Sequence, residues 1–410
     1  MPTSARPKLV YVVTHTKSAR CFLDGQLAFM REYGFDVYLI GSPGEGLDQI
    51  EQREGVTTIA VPMEREMSPL SDLQSLWRLF RVLRQLRPQV VNAGTPKAGL
   101  LAMIAAWCLR VPVRLYSQWG LRLETTTGFK RAVLTWAERI SAFCAHQVLC
   151  NSDSLKQTCI ELGLSSRRKT CVLGPGSTNG VDGERFHPAP VPDRGRAARR
   201  QALGLNPHAP VVGFVGRLTR DKGIVDLFRS FERLSVEFSD LQLLLVGDFE
   251  TGDAVPAETM RQLQTHPRVV ITGYVNDTSS YYSLFDLLAF PSYREGFPNV
   301  VLEASASGLP IAAYAATGTV DAVRDGETGL LAPVGDIEAL AAAIRSYLAD
   351  PQLRHAHGTA GRRRVVEQFQ PEMLWETLLH CYQKQAPRDG QPGRAATGSA
   401  PAGARAKQAA

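Results

Sequence analysis

Two groups of residues in this 410-residue chain are spaced so that they could do chemistry together. The first lies in SYREGFPNVVLEASASGLP, where Glu295 and Glu303 are separated by seven residues across a loop-to-helix turn. Pro298 stands where a first helical residue belongs, and Gly308 where the helix should stop. The turn aims the free amides near Gly296, Phe297 and Asn299 out of a helix N-terminus, which is a ready anion site. Glu295, just outside the helix, is placed to accept hydrogen bonds from sugar hydroxyls. Glu303, over a turn further on, can do the same for a second polyol such as a ribose. Taken alone, the spacing also fits a capping carboxylate beside a solvated face. The second group is FVGRLTRDKG, in which an apolar strand ends at Gly216 and is followed by Arg217 and then Lys222 and Gly223. A cation at a strand end and another at the next helix start can converge on a diphosphate, one as a fork and one as a point charge. With half a charge from the helix terminus, they would offer roughly +2.5 against a diphosphate of about −2. In isolation this pattern also describes ordinary surface cations.

The elements that must hold these residues read as alternating strands and helices. KLVYVVT, a helix around 22–33, DVYLIG, a helix of 68–87, PQVVNA, a helix of 98–109, VPVRLY, a helix near 130–145 and QVLCNS follow one another. This is the grammar of a parallel sheet covered on both faces. Between Phe186 and Leu205 the text turns rich in Pro, Arg and Ala. The alternation then restarts with PVVGFVG, a helix of 221–237, LQLLLVG, RVVITGYV, DLLAFPS, a helix from Pro298, LPIAAYA and TGLLAPV. The fold class is therefore α/β, with two Rossmann-like parallel-sheet domains facing across a cleft. Ligands in such sheets bind beyond the carboxyl ends of the strands. The expected boundaries are a first domain over 1–190, a second over 191–370, a C-terminal helix over 371–385 packing back on the first domain, and a disordered Gly-, Ala-, Pro- and Arg-rich tail over 386–410.

In this order, both after strands of the second half, the two motifs resemble the family-four retaining glycosyltransferases of the GT-B fold. The resemblance runs over about residues 8–384 and includes NGVDGERF at Asn179–Phe186 and ETGLL at Glu327–Leu331. It implies that Glu295 holds the donor sugar, Glu303 the ribose, and Arg217 and Lys222 the diphosphate, with the loop from Gly296 to Asn299 lining the donor site. Two departures concern the acceptor side. Many members have a Gly-Gly pair in the first loop, where this chain has Thr14, His15, Thr16, Lys17 and Ser18; many have His-x-His after a later strand, where it has Asn92, Ala93 and Gly94. NAGTPKAGLLA and GLRLETTTGFKR look like the subgroup that builds bacterial polysaccharide or glycan on a lipid-diphosphate carrier. That likeness places Thr95, Lys97, Arg122 and Glu124 on the acceptor side. His15, at the end of the first strand, is placed to contact the acceptor or the departing phosphate, although a lone histidine there also suits plain structure.

Composition narrows the rest. The chain is 44% hydrophobic and 21% charged, which is globular, and its net charge of +6 with a pI near 9.0 favours anionic partners. Seven cysteines without a Cys-x-x-Cys pair suggest neither a disulfide framework nor a zinc site. The N-terminus reads as a first strand and not as a signal peptide, and the longest apolar run, Ala98 to Leu109, is too short to span a bilayer. A cytoplasmic enzyme with peripheral contact at the inner membrane is expected. GPGSTNG at Gly174–Gly180 has the wrong spacing for a dinucleotide fingerprint, and no Asp-x-Asp-like pair marks a metal. No cofactor is expected beyond a nucleotide diphosphate sugar, most naturally a UDP-sugar, acting as co-substrate without metal. The acceptor would be a saccharide or a lipid-diphosphate-linked saccharide, and nothing suggests nucleic acid. Arg78, Arg81, Arg84 and Arg87 recur every three residues and so drift around their helix, as solvated arginines do. A nucleotide-sugar 2-epimerase of the same fold and a two-domain solute-binding protein are the alternatives; the first would not depend on an acceptor, and the second would normally be exported.

Overall fold

The computed structural model describes residues 6–64, 68–188 and 195–385. Residues 386–410, expected to form a tail, and the stretch 189–194, which holds the expected boundary at 190, lie outside the described residues.

Among the described residues, thirteen strands form two all-parallel sheets. The first contains β1 (Lys8–Val12), β2 (Asp36–Gly41), β3 (Thr57–Ala60), β4 (Val90–Gly94), β5 (Val113–Gln118), β6 (Gln147–Cys150) and β7 (Thr170–Val172), in the order β3-β2-β1-β4-β5-β6-β7. The second contains β8 (Val211–Val215), β9 (Gln242–Val246), β10 (Val269–Ile271), β11 (Leu287–Phe290), β12 (Ile311–Tyr314) and β13 (Gly329–Ala332), in the order β10-β9-β8-β11-β12-β13. The central strands are buried along their whole length, which is why they read as unbroken apolar runs: a sheet covered on both faces has no polar side to alternate with. Each order reverses beside its first strand, and the crevice at that switch point opens at the carboxyl edge.

One hydrophobic core fills the second domain, from Val181 to Phe369. Two cores sandwich the first sheet. One lies under the helices Pro69–Leu86, Pro96–Cys108 and Gly128–Cys144; the other lies under the helices before β2 and β3 and also takes in Leu378, Leu379 and Tyr382. The helix Pro371–Gln385 thus leaves the second domain at Phe369 and packs on the first.

Three local expectations are corrected. The single helix of 22–33 is two, Thr16–Phe22 and Gln26–Glu32, parted at Gly25 with φ +75. A Cβ there would lie 2.6 Å from the Trp375 ring, so the left-handed backbone and a distant aromatic together call for glycine at the break. The helix of 221–237 starts only at Ile224, leaving Lys222 in the preceding loop. Pro298 is the cap of the helix Asn299–Ala306 and not its first residue; its carbonyl accepts from Val301 N at 3.1 Å.

Candidate active site

The loops that follow β8 and β11 bring the two sequence motifs together. Lys222 forms an ion pair with Glu295, and both side chains are mostly buried. Arg217 Nη1 donates to Glu250 at 3.0 Å, and its Nη2 lies 3.8 Å from Asp221. The expected surplus of positive charge is corrected here: Arg217, Lys222 and the neighbouring Arg294 are matched by Glu250, Glu295 and Asp221. An anion arriving here would meet cations that must first give up a carboxylate, and for Lys222 that carboxylate is Glu295.

Asp221 and Arg294 are functional candidates that sequence reasoning missed. Asp221 accepts from Arg294 Nη2 at 2.7 Å, from Thr219 Oγ1 at 2.6 Å and shares the charge of Arg217. Burial raises its pKa, but the Thr219 hydrogen bond and then the cations Arg294, Lys222 and Arg217 outweigh that and leave it lowered. For Arg217 the balance also favours the charged form: burial lowers its pKa, and Asp221, Glu250 and Glu295 together raise it. The only signal for Arg294 was its place beside Glu295 in YREGF.

Glu303 lies apart from the Lys222–Glu295 pair, one turn into the helix Asn299–Ala306. Its Oε2 accepts from Tyr282 at 2.5 Å and Thr278 at 3.4 Å, and Arg185 adds a nearby positive charge. Burial raises its pKa against those three influences. The two glutamates thus address separate places, one by the cation cluster and one by Tyr282. Phe297 is buried against Phe369, ring centres 5.4 Å apart, so its side chain is wall and only its backbone faces the turn. Asn299 Oδ1 receives Ser177 Oγ at 3.4 Å from the other domain.

The donor loop touches the first domain directly. Gly120 and Gly296 face each other so closely that a Cβ on Gly296 would lie 2.2 Å from the Trp119 carbonyl oxygen, so glycine is required there by contact. Arg294 Nε donates to Thr125 Oγ1 at 2.8 Å, and Thr317 Oγ1 donates to Glu124 Oε1 at 2.6 Å. Glu124 thereby stands at the interface, its pKa raised by burial, and its other oxygen is buried without a partner among the described residues.

The remaining residues expected on the acceptor side are more scattered. Thr95, in a strained backbone with φ +69, shares a hydrogen bond of 2.7 Å with Thr14 Oγ1 and accepts from Thr14 N, which ties β4 to β1. Lys97 is paired with Asp72 at 2.6 Å. Arg122 opens the short 3₁₀ helix that carries Glu124. His15 caps the helix Thr16–Phe22 by position and is exposed at the carboxyl end of β1. Among the described residues, no three or more His, Cys, Asp or Glu side chains gather as a metal would need, and no helix is long and apolar enough to cross a membrane.

Comparison with known proteins agrees with this geometry. Residues 25–176 match the glycosyl transferase 4-like domain, and residues 195–364 match glycosyl transferases group 1. The chain is 36% identical over 375 residues to the capsular polysaccharide biosynthesis glycosyltransferase CapM of Staphylococcus aureus, covering 92% of this chain and 96% of that protein. It is 28% identical to the UDP-Gal:alpha-D-GlcNAc-diphosphoundecaprenol alpha-1,3-galactosyltransferase of Escherichia coli, covering 82% and 85%. In fold it is similar to Anabaena Alr3699/HepE in complex with UDP-glucose, at a TM-score of 0.76, 21% identity, and 92% and 100% coverage. These matches set aside both the epimerase and the solute-binding alternatives. With two parallel-sheet domains meeting at a cation-and-carboxylate loop, and with relatives matched along nearly its whole length, the chain belongs to the family-four glycosyltransferases of the GT-B fold.

Proposed function

We propose that this glycosyltransferase takes a sugar from a UDP-sugar, with retention at the anomeric carbon and without a metal ion, and places it on a lipid-diphosphate-linked saccharide in the synthesis of bacterial cell-surface polysaccharide. The sugar is a hexose or an N-acetylhexosamine, and the site of action is the cytoplasmic face of the inner membrane. The observation that carries the reading is the meeting of Arg217, Lys222, Arg294 and Glu295 at the carboxyl edge of the second sheet, against the Trp119–Gly120 loop of the first domain. Cations there stabilise the charge that grows on the leaving diphosphate, the role that often dominates transfer chemistry. Glu295 exchanges Lys222 for sugar hydroxyls, and Glu303 receives the ribose. Glu124 and Arg122 stand on the acceptor side. The names of the two relatives, one a capsular enzyme and one acting on a diphosphoundecaprenol, support the acceptor class. The test is transfer from a panel of nucleotide sugars to a lipid-diphosphate saccharide, with and without excess chelator. Activity that chelator abolishes and manganese restores would overturn metal independence, and inverted product stereochemistry would overturn retention.

A further inference from the structure

The helix Gly128–Cys144 turns a water-averse face outward. Phe129, Trp136, Ile140 and Phe143 are 85%, 62%, 40% and 68% exposed. At 100° per residue these positions fall within about 60° of one another, so they form one stripe. The helix's one acid, Glu138, is buried on the opposite side. Trp107, exposed at the end of the neighbouring helix, extends the stripe through a ring contact of 6.1 Å with Phe143. Single exposed apolar residues are ordinary, but a contiguous run of four large ones marks a surface that meets a partner.

Cations frame the stripe. The Arg139 guanidinium lies 5.7 Å from the Trp136 ring centre, and Lys169 Nζ lies 5.8 Å from that of Phe143 while donating to carbonyls at the end of the helix, Phe143 at 2.9 Å and the capping Ala145 at 2.8 Å. Arg167 and Arg168 are exposed beside Lys169 in the chain, and Arg110 is exposed just beyond Trp107. Aromatic residues edged by Lys and Arg suit the boundary of an anionic bilayer, with rings among the acyl chains and cations at the headgroups. The stripe also has a direction. Its Phe129 end follows by a few residues Glu124 and Thr125, which contact Thr317 and Arg294 across the cleft. Its Phe143 end lies about 21 Å from Phe129 at 1.5 Å per residue.

We propose that this face docks on an anionic lipid bilayer and holds the mouth of the cleft at the headgroup level, so that a lipid-anchored acceptor reaches the site without leaving the membrane. The proposal rests on the reading of the acceptor as lipid-linked. The test uses the full chain and the triple variant Phe129→Ser, Trp136→Ser, Phe143→Ser, whose changes are all at exposed positions. Both are sedimented with vesicles of phosphatidylcholine alone and of phosphatidylcholine with phosphatidylglycerol; the urea unfolding midpoint is measured on each protein as a control for the fold of the first domain, and UDP affinity as a control for the second. The wild type should prefer the anionic vesicles, and the triple variant should lose partition by about tenfold or more at unchanged UDP affinity. Equal partition of the two proteins would overturn the proposal. So would a wild type that ignores vesicles but sediments in solution as a dimer that the variant dissolves, since the face would then join two copies. Transfer to soluble saccharides and none to lipid diphosphates, with vesicle binding intact, would instead overturn the acceptor reading alone.

Discussion

Glu295 is held by Lys222 in the free enzyme, and this pairing shapes what its removal should do. In Glu295→Gln the Lys222 ammonium loses its carboxylate and becomes more available to phosphate, while the sugar loses a charged acceptor. Turnover should fall by about 100-fold or more, an effect of roughly 3 kcal/mol at the transition state, while UDP binds as tightly as before or tighter. Isothermal titration with UDP beside steady-state kinetics checks this, and weakened UDP binding would remove Glu295 from the sugar side. Glu303 behaves differently because burial raises its pKa. In the proposed binding mode a ribose hydroxyl donates to the ionised carboxylate, so UDP affinity should rise as pH climbs through that raised value. Glu303→Ala should flatten this rise and weaken UDP by about tenfold or more, which corresponds to roughly 1.5–3 kcal/mol for a charge-assisted contact. A pH series of UDP titrations on both proteins reads the effect.

The helix Gly128–Cys144 answers two demands at once: an outward apolar stripe and an inward acid. Glu138 accepts from Tyr116 at 2.8 Å and Gln118 at 3.2 Å, both on β5. Burial lifts its pKa from 4.5 to about 7 despite those two hydrogen bonds. A raised carboxyl binds its proton more tightly folded than unfolded, so its contribution is fully present below the unfolded value and is lost as pH rises through about 7. The shift corresponds to on the order of 3 kcal/mol. Glu138→Gln keeps an acceptor for both donors and has nothing to titrate. Its stability relative to the wild type should therefore improve by up to about that amount between pH 5 and pH 8. Urea unfolding at several pH values measures the difference; a constant offset would show that Glu138 is not the group that titrates.

At the scale of the whole molecule, the helix Pro371–Gln385 follows the second domain in the chain and returns to complete the core of the first. Tyr382 donates to Tyr11 at 3.0 Å and accepts from Asn92 Nδ2 at 2.6 Å, a bond between residues 290 positions apart. Trp375 donates to Asn179 at 2.7 Å and packs on Phe29. Closing so long a loop costs entropy that only burial in the first core can offset. Tyr382→Phe leaves the buried Asn92 amide without that acceptor, and should cost about 1–3 kcal/mol in urea stability while UDP affinity in the second domain stays unchanged. A parallel loss of UDP binding would mean that the two domains do not divide the work in this way.

How much of this was legible in the sequence follows from the range of each interaction. The alternation of strands and helices, the two sheets, the helix start near Pro298 and the cation motif after β8 are local patterns, set by side-chain period, proline geometry and strand ends, and a linear reading reaches them within a residue or three. The charge state of the site was out of reach, because Lys222 meets Glu295 73 positions away and Arg217 meets Glu250 33 positions away; no local spacing says that a cation is already neutralised. The same holds for Glu124, which finds Thr317 193 positions on, and for Gly25 at the helix break, against which the Trp375 ring packs. The stripe on Gly128–Cys144 was hidden for another reason: periodicity shows that a helix has an apolar face, and only packing shows which face the sheet covers and which it leaves to the solvent. Sequence by itself determined the elements and the kind of chemistry, because both are written in short-range pattern; the pairing of charges, the contact of the two domains and the outward face were decided by the tertiary structure, because each depends on residues that meet only when the chain has folded.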